Sequence, residues 1–72
     1  MSRYQCVITG ADGDILTDDV MSHLELDAAA KQNGLKHEFM IAFVARSYEG
    51  LVSNPAGVTM VWRQLDDAGP LD

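Results

Sequence analysis

LDAAAKQNGLKHEFMIAFVARSYEGLV, residues 26–52, is the stretch whose reading decides the fold. Its first half is rich in alanine and closes on Asn33-Gly34, a pair suited to the left-handed stop that ends a helix. Its second half carries FMIAFVA, the longest apolar block of the chain, which admits two readings. A strand there is apolar on both faces, and a chain of 72 residues has little to cover both with. A helix over about residues 37–52 separates better. Met40, Ile41, Val44, Ala45, Tyr48, Leu51 and Val52 share one arc, and Glu38, Arg46, Glu49 and Ser53 take the other. Phe39 and Phe43 are left on the polar flank of that arc. The helix reading is preferred and gives two packed helices on a small sheet. The strand reading gives a single helix packed on a three- to four-stranded antiparallel sheet.

Upstream of this stretch, Thr17 has the hydroxyl of an N-cap, and Asp18 and Asp19 carry the charge that a helix N-terminus favours. The first helix is therefore expected over about residues 18–33, with Val20, Met21, Leu24 and Ala28 as its inner face. Asp27 is a second cap position if that helix breaks. Before it, Tyr4, Cys6 and Ile8 alternate with Gln5, Val7 and Thr9 in a strand pattern. Gly10-Ala11-Asp12-Gly13 reads as a turn, and Ile15-Leu16 as the start of a return strand that makes a hairpin. Asn54-Pro55-Ala56-Gly57 is a second turn, followed by a C-terminal strand over about residues 58–65 with Val58, Met60 and Trp62 inward. The expected class is α+β: N-terminal strand or hairpin, two helices, C-terminal strand. One small domain spans residues 1–65, and residues 66–72 form an acidic tail.

Chain length leaves room for one core, which buries only about 60% of the surface of the unfolded chain. The 47% hydrophobic content is ample for that core, and an apolar surplus in so short a chain points to a homodimer or a partner-binding face. The single Cys6 excludes an internal disulfide, which favours a reducing, cytoplasmic setting. No run of 18 apolar residues is present, so no membrane partner is expected. The net charge of −6 is uneven: residues 1–30 carry −5, residues 31–65 carry +2, and the tail carries −3. An acidic front half repels phosphate at long range and favours a partner with a basic surface.

Ala30, Gly34, Leu35, Met40 and Phe43 stand at spacings that resemble a helix-turn-helix, over about 20 residues. The resemblance implies a DNA-binding transcriptional regulator that uses Lys31, Lys36, His37 and Arg46. The bland reading is an ordinary helix pair, and the charge balance sides with it, because phosphate attraction dominates DNA affinity. Asp12, Asp14, Asp18 and Asp19 raise calcium, but counting from Asp12 puts Thr17 at the sixth position and His23 at the twelfth, where an EF-hand needs Gly and Glu. His23 and His37 lack a second ligand at zinc spacing, and Cys6 reads as a core residue. Neither a metal nor a cofactor is expected, and no catalytic set is assigned.

What remains is a small acidic, non-enzymatic protein-binding module, with an inhibitor or regulator as its natural form. Asp12, Asp14, Asp18, Asp19, Glu25 and Asp27 would steer the partner, and Phe39 and Phe43 would supply apolar contact. Carboxylates set along an exposed helix could also imitate nucleic-acid phosphates. DNA binding is the runner-up.

Overall fold

The computed structural model describes residues 2–65. Six elements follow one another as β1 (Tyr4–Thr9), β2 (Ile15–Met21), α1 (His23–Gln32), α2 (Lys36–Ala45), β3 (Glu49–Ser53) and β4 (Thr59–Gln64). The strands form one antiparallel sheet in the order β2-β1-β4-β3. Both helices lie on one face of it, α1 over β1 and α2 over β3. The fold is α+β with two helices, as expected, and the sheet has all four strands that the single-helix alternative wanted. The acidic tail expected over residues 66–72 lies outside the described residues.

The decisive stretch divides between its two readings. Helix α2 stops at Ala45, and Glu49–Ser53 is a strand, so the single helix over residues 37–52 is corrected. Arg46 caps α2 with its N–H on the Ala42 carbonyl, and its guanidinium reaches the Tyr48 hydroxyl at 3.2 Å and Glu49 at 3.6 Å. The apolar arc also failed as a guide to the core. Met40, Ile41, Val44, Ala45, Tyr48 and Leu51 are exposed, while Phe39 is fully buried. A helix apolar all round has no preferred face by periodicity. Here the ring that meets Trp62 from 4.9 Å decides which side turns inward.

The first helix is corrected in the same way. Residues 15–21 form β2, and α1 starts only after Ser22, which replaces Thr17 as N-cap. Ser22 Oγ accepts the Glu25 N–H at 3.3 Å, and Glu25 Oε1 accepts the Ser22 N–H at 2.9 Å, closing a capping box. Leu26 and Ala30 face the core, whereas Leu24 and Ala28 are exposed. Asp18 and Asp19 are tolerated in a strand because β2 lies at the sheet edge, in water on its outer side.

Other expectations hold. Tyr4, Cys6, Ile8, Met60 and Trp62 are buried, and Val58 packs against them. Helix α1 ends at Gln32 and is stopped by Gly34, whose φ of 69° is left-handed. Leu35 N–H donates to Ala30 O at 2.7 Å and Gly34 N–H to Lys31 O at 3.3 Å, the paired bonds of a Schellman stop. The next helix starts within two residues of that stop, so α1 and α2 form a tight hairpin over the sheet.

Candidate interaction surface

The strand pairing sorts the side chains of the sheet. Residues opposite one another share a face, so the buried Cys6, Ile8, Met60, Trp62 and Val52 define the helix-covered side. The other side carries Gln5, Val7, Thr9, Thr59, Val61, Arg63, Glu49, Leu51 and Ser53, joined from β2 by Ile15, Asp18 and Val20. No helix covers that side among the described residues. A shallow concavity of about 410 Å³ lies on it between Gln5, Val61, Arg63 and Glu49.

The acidic residues singled out by sequence do not share a helix. Asp12 and Asp14 sit in the β1–β2 turn, where the Asp14 N–H donates to Asp12 Oδ1 at 3.1 Å and holds the Asp12 carboxyl below its ordinary pKa. Asp18 and Asp19 are neighbours on β2 and point to opposite sides of the sheet, because side chains alternate along a strand. Asp18 accepts a hydrogen bond from Gln5 Nε2 at 2.7 Å. Glu25 is committed to the capping box, and Asp27 is half-buried on α1. Four of the six thus gather on one hairpin at the sheet edge, and the evenly spaced helical row that phosphate mimicry needed is not formed.

Phe39 is corrected from surface contact to core residue. Phe43 is half-buried and joins a chain of rings, 5.1 Å from Phe39, 6.0 Å from Tyr4 and stacked on His23 at 4.4 Å. It lines a surface concavity of about 370 Å³ with Tyr4, Ser22, His23, Leu24 and Ser47. The apolar surface that sequence reading assigned to the phenylalanines belongs instead to the residues it placed in the core. Met40 (50% exposed), Ile41 (61%) and Val44 (89%) form the outer side of α2, and Leu24 (78%) stands out from α1. Their helical spacing was legible, but nothing in the periodicity said that the arc faces out.

Of the residues of the DNA-binding alternative, Lys31, Lys36 and His37 are exposed around the α1–α2 turn, and Arg46 is engaged by Tyr48 and Glu49. Cys6 is fully buried, and burial, followed by the charges of Asp19 and Asp18, pushes its thiol up to about 11. It is therefore a neutral thiol at physiological pH rather than an activated nucleophile. Among the described residues no three His, Cys, Asp or Glu side chains group as metal ligands, and no helix is long and apolar enough to cross a membrane. No family model, no curated protein and no solved structure matches the chain.

Proposed function

We propose that this chain is a non-enzymatic protein-binding module, of the inhibitor or regulator kind, whose partner seats on the outer side of α2. The observation that carries the reading is the exposure of Met40, Ile41 and Val44 together on that helix. A surface helix ordinarily sets polar residues on its outer side, and a helix apolar all round is one that is covered on both sides. The core covers one side of α2 through Phe39; a partner covers the other. The acidic β1–β2 hairpin would raise the rate of encounter with a basic partner without supplying the main affinity.

The test is a comparison of the chain with a variant carrying Met40→Gln, Ile41→Lys and Val44→Gln. Both are immobilised and exposed to extract of the producing cell. The reading expects a protein held by the original chain, released by free original chain in excess, and not held by the variant. Identical retained sets would sink it.

DNA binding stays second. The three-residue link between α1 and α2 and the exposed Lys31, Lys36 and His37 favour it. The outer side of α2, however, offers Met40, Ile41 and Val44, which cannot hydrogen-bond base edges. Failure to bind duplex DNA at low salt would remove this reading.

A further inference from the structure

Strand β2 is one of the two edge strands of the sheet, and among the described residues nothing pairs with its outer side. Alternate residues of such a strand direct N–H and C=O groups away from the sheet, an array ready to accept another strand. The side chains decide which strand that is. Ile15, Leu16 and Val20 are exposed large apolar residues along β2, so the edge is not merely a solvated one. Between them stand Asp18 on the open side of the sheet and Asp19 on the helix side.

A second copy of β2 is a poor occupant. Antiparallel pairing centred on these residues brings four carboxylates to cross-strand distance, where like charges repel. The acidic turn residues Asp12 and Asp14 extend the same negative field. The complement is a strand with two consecutive basic residues, one for each side of the sheet, flanked by β-branched residues that lie beside Thr17 and Val20. We infer that the β2 edge takes up an extended dibasic segment of a partner protein by strand addition, with its two basic side chains opposite Asp18 and Asp19. Main-chain hydrogen bonds supply the seat, and the charge pair sets register. This inference rests on the protein-binding reading and adds to it the mode and chemistry of one contact.

The probe is a capped synthetic peptide, Thr-Val-Lys-Lys-Val-Thr, titrated into the full isotope-labelled chain and followed by amide NMR. The expected result is movement of the Asp18, Asp19 and Val20 amides and slower exchange of those that point outward. Affinity should fall about tenfold in the double variant Asp18→Asn, Asp19→Asn, which leaves both exposed positions polar and the fold's amide spectrum otherwise intact. Two N-methylated peptides, blocked at odd or even positions, separate strand addition from mere charge attraction. Only one edge of the peptide faces β2, so one of the two must lose binding and the other must keep it. Equal binding of both, equal binding of a Glu-Glu peptide, or no movement on β2 overturns the inference. Movement confined to the amides of Met40, Ile41 and Val44 also overturns it, while leaving the proposed α2 surface standing.

Discussion

Gly50 lies directly beneath the indole of Trp62: a Cβ on Gly50 would fall among the atoms of the Trp62 six-membered ring. The two are cross-strand partners on β3 and β4, and Trp62 is the largest fully buried side chain. The missing side chain of one residue is thus the space that holds the other. Because the rings of Phe39 and Phe43 pack against Trp62, at 4.9 and 6.1 Å, the same space sets how α2 sits on the sheet.

Replacing Gly50 by Ala should therefore overpack the core. The backbone of β3 and the indole cannot both stay in place, and the expected cost is about 1–3 kcal/mol. A urea titration followed by Trp62 fluorescence measures it. An unchanged midpoint would show that the indole has somewhere else to go.

Asn54 ties the β3–β4 turn to the α1–α2 turn. Its Nδ2 donates to the carbonyls of Asn33 and Gly34, at 3.1 and 3.3 Å, and its Oδ1 accepts the Val58 N–H at 3.0 Å. Asn54→Ala removes all three bonds and should cost about 2–3 kcal/mol. Asn54→Asp keeps the acceptor and loses the donors, so it should fall between the two. In a domain of this size the alanine variant should melt about 10–15 °C lower. An aspartate variant that melts with the original chain would mean that the link to the helix turn contributes nothing.

Much of this architecture was legible locally, and the failures have a common cause. Strand β1, both glycine-bearing turns and the inward Met60 and Trp62 follow from alternation and turn chemistry that involve only near neighbours. Strand β2 was legible only as its start, Ile15-Leu16, because Thr17-Asp18-Asp19 imitates a helix start. The competing signal, Ser22-x-x-Glu25, was in the sequence as a capping box and was the better cap. The surface on α2 was assigned to the wrong side because a helix with Phe39, Met40, Ile41, Phe43 and Val44 carries apolar residues on every side. Only contact with Trp62 and Leu26 across the chain chooses the inner one. The candidate site was therefore legible as a kind of surface, apolar beside acidic, but not as a set of residues.

Ser22 provides a direct check of that boundary. Ser22→Ala should cost about 1 kcal/mol through the lost cap, with the loss read by thermal melting. Thr17→Ala, at the position first read as the cap, should cost less than half as much. The opposite order would return the start of α1 to Thr17.

Exposed apolar residues contribute little to the stability of the fold that displays them. The variant with Met40→Gln, Ile41→Lys and Val44→Gln should keep its melting temperature within a few degrees, since surface substitutions usually stay within about 0.5 kcal/mol each. It should bind less of an apolar fluorescent dye than the original chain, which measures the patch without knowledge of a partner. A collapse of stability would instead place these side chains in the core.

The buried Cys6 makes stability depend on alkaline pH. Its thiol is raised to about 11 in the fold, chiefly by burial, whereas an exposed cysteine ionises near 9.0. The folded state thus holds the proton more tightly than the unfolded state does. Below about pH 9 both states keep the proton, and the contribution of the neutral buried thiol is fully present. Between about 9 and 11 the unfolded chain ionises first, so stability falls with rising pH, at most about 1.4 kcal/mol per unit. Cys6→Ala should remove this part of the pH dependence at the expense of a small core cavity. Urea midpoints of both proteins at pH values from 7 to 11 give the comparison, and the same buried thiol should react with a disulfide reagent only as fast as the chain opens. Parallel midpoint curves for the two proteins, or immediate labelling of the folded chain, would show that Cys6 is reached by water.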